Sequence, residues 1–137
     1  MTFGDENDHG VADEKVSREL FDAFLEAGGN FIDTANDYTG GKSEAHLGKF
    51  ISASTERDRL VIATKYSANM RPDDPNSGGN SRKSMVHSVE ASLKRLRSEY
   101  IDLLWVHMWD SVTPNRRSDA WTPRTEVDAV GRGYLPD

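Results

Sequence analysis

Cysteine is absent from this chain of 137 residues, which excludes disulfide bonds and thiolate metal sites. Long apolar runs are also missing, because the longest has four residues, whereas a membrane-spanning helix needs roughly 20. Positive charge is not in excess, since the formal net charge is -6, and this argues against a nucleic-acid partner. The first residues lack the charged-then-apolar layout of a secretory signal. We therefore expect a cytoplasmic protein that binds neither nucleic acids nor membranes.

Apolar residues are present in short blocks whose spacing alternates between helical and extended patterns. Helices are predicted where apolar residues recur every three to four positions, over 13–27, from about Ser43, and over 81–96. Short buried strands are predicted at 30–33, 60–64 and 100–106. Strands that alternate with helices in this way are typical of successive βαβ units with a parallel sheet.

The spacing of apolar residues divides the chain into two parts. Residues 1–110 carry the periodic blocks and predict one α/β domain. Residues 111–137 have no apolar periodicity and are interrupted by Pro123, so we expect an aperiodic and poorly ordered tail.

Chemically active side chains follow the predicted strands. Asp33 ends the first strand and Tyr38 comes shortly after it, while Lys65 follows the second strand and His107 the third. Each of these residues alone has an ordinary structural explanation. Together they lie at the carboxyl ends of parallel strands, where α/β barrels build their active sites. An acid, a phenol, an amine and an imidazole at one edge predict a site of proton transfer.

Two other kinds of site are disfavoured. A metal site built on Asp33 and His107 would normally require more converging histidines, so we expect no metal. The GGKS stretch at 40–43 only superficially resembles a phosphate-binding loop, because Asp37 stands where its first glycine would be and no strand directly precedes it.

Several segments resemble the aldo-keto reductase family in the same order. The signature segment is matched by GNFIDTA at 29–35, then Tyr38, then GKSE at 41–44. ATK at 63–65 is similar to the lysine strand of that family, and 92–107 resembles its third helix and fourth strand with His107. The start of the chain, 1–4, resembles the end of the first strand. The resemblance extends over about residues 1–114.

The resemblance implies an NADP(H)-dependent reductase of aldehydes and ketones on a parallel (β/α)8 TIM barrel, of which residues 1–110 would form about the first four βα units. Tyr38 would protonate the carbonyl oxygen of a small-molecule substrate. Lys65 would favour the phenolate form of Tyr38, and Asp33 would hold Lys65 charged and contact the cofactor. His107 would donate a hydrogen bond to the carbonyl group and orient it.

Length is the point at which the chain departs from the family. A complete barrel needs about 200–250 residues, so we expect a truncated or frame-disrupted product that does not bind NADPH tightly. Open sheet edges would favour self-association, a different collapse or poor folding. Two rival hypotheses are a regulatory subunit resembling the potassium-channel β subunits and a nonfunctional remnant. The identity of the substrate is not predictable from the residues present.

Overall fold

Three helices and three strands alternate along the part of the chain that the computed structural model describes, namely residues 3–4, 12–53 and 57–113. The helices are α1 (Glu14–Glu26), α2 (Lys42–Ser52) and α3 (Arg82–Leu96). The strands are β1 (Phe31–Asp33), β2 (Val61–Tyr66) and β3 (Leu103–Val106). Short 3-10 turns occupy Tyr38–Gly41 and Arg57–Arg59. The predicted alternation of helix and strand is confirmed.

The strands form one parallel sheet in the order β1–β2–β3. Phe31 pairs with Val61, and Ala63 pairs with Leu103. Because the strands are parallel and their registers are nearly aligned, their carboxyl ends lie along one edge of the sheet. This is the α/β arrangement that the sequence predicts.

Two strand boundaries differ from the sequence-based expectation by more than one residue. β2 continues past Thr64 because Lys65 and Tyr66 are still paired with β3. β3 begins only at Leu103, since the carboxylate of Asp102 accepts the N–H of Ile62 at 2.8 Å and so replaces a backbone acceptor at that point. The predicted strand ends at residues 64 and 100 are therefore wrong.

The amino-terminal residues that the structure describes contribute little to the sheet. Gly4 forms an isolated antiparallel bridge with Ala12, and Phe3 is buried against Phe50 with the ring centroids 5.9 Å apart. Three strands, not four, are therefore described in this part of the chain. Most of the predicted tail, 114–137, lies outside the described residues.

Side chains before α1 and α3 explain where these helices begin. Asp13 accepts the N–H of Val16 at 2.8 Å, and Ser81 accepts the N–H of Ser84 at 3.2 Å. Both are N-cap interactions that satisfy a donor which the helix itself leaves free. The first predicted helix therefore begins one residue after Asp13, as its acidic start indicates.

The apolar stripe predicted for α1 is only partly buried. Phe21 is fully buried, whereas Val16 and Leu20 are exposed. At about 100° per residue, Val16 and Leu20 lie at one margin of the stripe, while Phe21 lies near Ser17, which is also buried. The centre of the buried face is therefore displaced from the centre of the apolar pattern.

One apolar core fills the space between the helices and the sheet. Its fully buried members include Phe21, Ile32, Leu47, Ile62 and Leu96. Large apolar side chains remain exposed at the carboxyl end of β3 and after it: Trp105, Val106, Met108, Trp109 and Val112. Self-association through the open edges stays a prediction.

None of the described helices is long and apolar enough to cross a bilayer. A cytoplasmic location stays a prediction.

The first turn of α2 contains a buried charge that joins three elements. Glu44 is completely buried. It accepts a hydrogen bond from Thr64 of β2 at 2.6 Å and one from Nε of Arg95 in α3 at 2.7 Å. Because both carboxylate oxygens are satisfied, the charge can remain inside the fold.

Helices α2 and α3 approach each other closely at Gly48. A Cβ atom at this position would lie 2.2 Å from the carbonyl oxygen of Arg95. Only glycine permits this approach, because the obstacle is backbone and cannot rotate away.

Replacing Gly48 by alanine tests this packing. Alanine in a helix normally stabilises by about 1 kcal/mol relative to glycine, but here we expect Gly48→Ala to lower the free energy of unfolding by about 1–3 kcal/mol through overpacking. Urea unfolding measures the change. Ser52→Ala, at the exposed end of the same helix, is the control and should shift the value by less than about 0.5 kcal/mol. A more stable Gly48→Ala variant would contradict the described contact.

Removing the Glu44 carboxylate tests whether this buried group holds α2, β2 and α3 together. Glu44→Ala should lower the free energy of unfolding by about 3–5 kcal/mol, because Arg95 loses its partner in a mostly buried position. The matched control is Glu14→Ala, which breaks the exposed ion pair with Lys49 and should have little effect. Equal effects of the two substitutions in urea unfolding would refute the importance of burial.

Candidate active site

All four residues predicted from the strand ends lie at the carboxyl edge of the sheet. Asp33 is the last residue of β1, and Tyr38 begins the 3-10 turn that follows. Lys65 lies within β2 near its end, and His107 directly follows β3. The structure therefore brings these side chains to one place from three neighbouring strands.

The first contact in this cluster is an ion pair between adjacent strands. Lys65 Nζ lies 2.5 Å from Asp33 Oδ2 and donates a second hydrogen bond to the carbonyl oxygen of Thr34 at 2.6 Å. The Lys65 side chain is 15% exposed and that of Asp33 39%. The Lys65 side chain is thus fixed in direction at the boundary between the fold and solvent.

Tyr38 lies between the lysine and the histidine. Lys65 Nζ is 4.8 Å from the centroid of the Tyr38 ring, and the His107 ring meets the same ring edge-on at 5.7 Å. A cation at this distance is attracted to the ring face. The order Asp33, Lys65, Tyr38, His107 therefore forms a continuous row of groups.

His107 has a neighbour that the sequence analysis missed. Its Nδ1 lies 3.3 Å from Oδ1 of Asp37, and its backbone N–H donates to the carbonyl oxygen of Tyr66 at 2.9 Å. Asp37 directly precedes Tyr38, and the sequence analysis used it only to exclude a phosphate-binding loop. Its adjacency to a candidate acid was the signal that could have found it.

Left-handed backbone brings Tyr38 into position. Thr39, Gly40 and Gly41 have φ angles of 50°, 64° and 90°, so the chain reverses sharply between β1 and α2. Thr39 is not glycine, and its strained conformation coincides with a hydrogen bond from its hydroxyl to the carbonyl oxygen of Phe3 at 2.5 Å. A Cβ on Gly4 would lie 2.6 Å from the Thr39 hydroxyl, which shows how closely the two segments pack.

The loops after β2 and β3 are connected at the same edge. Asp110 accepts hydrogen bonds from the backbone N–H groups of Asn80 at 2.8 Å and Thr113 at 2.6 Å. Asn80 also donates from its side chain to the carbonyl oxygen of Met108 at 2.9 Å. The long loop that precedes α3 is thereby fixed against the residues that follow His107.

A second phenol lies close to this edge but is a poorer acid. Tyr66 ends β2 and is buried, and this burial, together with the nearby charge of Asp110, raises its pKa above the ordinary value of 10.0. Tyr66 therefore keeps its proton more tightly than a solvated phenol.

Across the described ranges, no group of three or more histidine and carboxylate side chains is arranged to hold a metal ion. The carboxylate of Asp33 is already committed to Lys65.

The amino-acid sequence matches a known protein family over most of its length. The family model described as "Aldo/keto reductase family" matches residues 1–131. The chain belongs to the aldo/keto reductase family. The resemblance inferred from the sequence is confirmed, and the three-stranded parallel sheet with its helices agrees with part of the α/β fold of these reductases.

Fungal reductases and dehydrogenases are among the similar proteins. The chain is 48% identical over 120 residues to a norsolorinic acid reductase of Emericella nidulans, covering 82% of this chain and 31% of that protein. It is 45% identical over 117 residues to norsolorinic acid reductase B of Aspergillus parasiticus, covering 80% and 31%. It is 46% identical over 109 residues to an aryl-alcohol dehydrogenase [NADP(+)] of Phanerodontia chrysosporium, covering 74% and 28%. The chain thus spans about a third of the length of these aldo/keto reductases.

Acidification tests the loop connection at Asp110. Hydrogen bonds, first among them that from the Thr113 N–H, hold the pKa of Asp110 below its ordinary value of 3.8. A lowered pKa means that the stabilisation is complete above 3.8 and is lost as the pH falls through the folded-state pKa. We expect the difference in unfolding free energy between the natural chain and Asp110→Asn to be constant near neutrality and to shrink below that value. Urea unfolding at several pH values measures it, and a difference that grows on acidification would contradict the assignment.

Proposed function

We propose that this aldo/keto reductase chain carries the catalytic centre for NADPH-dependent reduction of aldehydes and ketones to alcohols. The observation that carries the proposal is the row of Asp33, Lys65, Tyr38 and His107 at the carboxyl edge of a parallel sheet. The names of the similar proteins support the reaction class, because they include both reductases and a dehydrogenase marked NADP(+).

Tyr38 is the proton donor in this proposal. It lies in the middle of the row, with Lys65 Nζ 4.8 Å from its ring centroid and His107 on its other side. As the carbonyl carbon is reduced, its oxygen gains negative charge and takes the phenolic proton. The Lys65 ammonium stabilises the phenolate that remains, which then regains a proton from solvent.

His107 and Asp33 act on the groups beside Tyr38. His107 donates a hydrogen bond to the same carbonyl oxygen, which orients the substrate and disperses the developing charge. Asp33 holds Lys65 in position beside Tyr38, through the 2.5 Å contact. Removal of any one member would therefore affect the proton donor.

The polar groups of Asp33 and Lys65 fit the reactive end of a nicotinamide cofactor. Asp33 and Lys65 reach the edge of the sheet with part of their surface accessible, so Asp33 is the residue proposed to contact the cofactor. When bound there, NADPH would supply the hydride. No metal is needed for the proton transfer, because Tyr38 and Lys65 provide it.

An aromatic carbonyl compound is the substrate class that we favour. One similar protein is named for aryl alcohols. In this chain Trp109, two residues after His107, is 76% exposed and offers an aromatic surface next to the carbonyl site. We further propose that the described βα units belong to a (β/α)8 barrel, as the family implies.

Substitution of the proton donor tests the proposed function. With a nitrobenzaldehyde as substrate, Tyr38→Phe should lower kcat for NADPH oxidation by about 100-fold or more, because general acid catalysis contributes about that much. Tyr100→Phe is the matched control, since it removes an exposed hydroxyl that contacts only Asp58 among the described hydrogen bonds. The absence of aldehyde-dependent NADPH oxidation, or full activity in Tyr38→Phe, would overturn the proposal.

A further inference from the structure

Two buried polar atoms face each other beside Tyr38 and have no other hydrogen-bond partner among the described residues. They are Oδ1 of Asp37 and Nδ1 of His107, 3.3 Å apart. Their present orientation falls short of a hydrogen bond, but a small rotation of either side chain would complete one. Since buried polar atoms are rarely left unpaired, this pair is the natural solution for both.

The chemistry of the two groups fixes the direction of that bond. A carboxylate oxygen can only accept, so the imidazole nitrogen that faces it must carry the proton. In a histidine, the partner of one ring nitrogen decides which of the two nitrogens is protonated. Asp37 therefore selects Nδ1 as the protonated nitrogen of His107.

The rest of the His107 ring is held towards the outside. The side chain is 24% exposed although its Nδ1 is buried, so the accessible part of the ring lies away from Asp37. The backbone of His107 is fixed to Tyr66 of β2 at 2.9 Å, and the ring meets Tyr38 edge-on. Asp37 thus completes the set of contacts that determine the ring orientation.

We propose that Asp37 is a positioning residue: it keeps the Nδ1 proton on His107 and turns Nε2 towards the carbonyl site. The effect on the ring stands on the geometry alone, whereas its consequence for catalysis rests on the proposed function. With Nδ1–H committed to Asp37, a neutral ring would present only an acceptor at Nε2. The form of His107 that donates to the carbonyl oxygen in the proposed function is therefore the ring that carries both protons, with one of them held by Asp37.

Nitrogen NMR of the histidine side chains tests the proposal without any substrate. Long-range 1H–15N spectra distinguish the two neutral tautomers, and His107→Gln identifies the His107 signals. The natural chain should show mainly the Nδ1–H form at a pH where the ring is neutral. Asp37→Ala should shift His107 towards the Nε2–H form. Asp37→Asn keeps a carbonyl oxygen that can accept, and should retain mainly Nδ1–H.

A matched control is available on α3. Glu90 lies 3.9 Å from Nδ1 of His87, and both side chains are exposed. Glu90→Ala removes a carboxylate beside a different histidine and should leave the His107 signals unchanged. Circular dichroism verifies that each variant is folded. If Asp37→Ala does not fold, the tautomer of His107 measured in the natural chain tests the proposal by itself.

The outcomes separate this inference from the proposed function. Mainly Nε2–H in the natural chain, or no change of tautomer in a folded Asp37→Ala, would overturn the positioning role. If NADPH oxidation is measurable, Asp37→Ala should lower kcat by about 10- to 100-fold through misplacement of the ring, with a much smaller change in KM. Asp37→Asn should recover most of that loss. A tautomer shift without any aldehyde reduction in the natural chain would support the positioning role and reject the proposed function.

Discussion

The first turn of α2 is the constraint on which the other contacts depend. Glu44 is buried between Thr64 of β2 and Arg95 of α3. The preceding residue, Ser43, forms a hydrogen bond with Thr34 at 2.9 Å and accepts the backbone N–H of Phe3 at 3.1 Å. Two consecutive side chains thereby connect the end of β1, the middle of β2, the third helix and the amino-terminal segment. A buried carboxylate is stable only while all its partners stay in place, so the positions of these elements depend on one another.

This anchoring has a direct consequence for the proton donor. Tyr38 lies on the short connection between β1 and α2, and both ends of that connection are fixed by the same turn. The connection reverses its direction within a few residues, and it does so with left-handed backbone at Thr39 and the two following glycines. This reversal places Tyr38 beside Lys65. The strain at Thr39 and the position of Tyr38 are therefore two results of one geometric requirement.

The sequence predicts the parts of this arrangement that follow from periodicity and from local motifs. Apolar spacing predicts three helices and three strands, and the strand ends single out Asp33 and His107. The boundaries and residues that the sequence analysis missed depend on tertiary contacts. β2 extends through Lys65 because β3 pairs with it, and Glu44 appears as an ordinary residue of a helix start until Arg95 is brought from 51 positions away. Asp37 gains its meaning only from the three-dimensional distance to His107.

Because side chains alternate between the two faces of a strand, the candidate site and the buried Glu44 lie on opposite faces of the sheet. Thr64 points to the helices and reaches Glu44, so its neighbour Lys65 must point to the opposite face of the sheet. Asp33 lies on that opposite face too, and the register places β1 and β2 so that the two charges meet.

The same alternation of strand faces accounts for the exposed aromatic residues. Phe31 is two positions before Asp33, and Trp105 pairs with Lys65, so both lie on the face away from the helices and are about half exposed. A slip of one residue in β2 would exchange Thr64 with Lys65. It would break the Thr64–Glu44 hydrogen bond and the Lys65–Asp33 ion pair at once. The register is thus held from both faces of the sheet, and the contacts that bury Glu44 also keep Lys65 beside Tyr38.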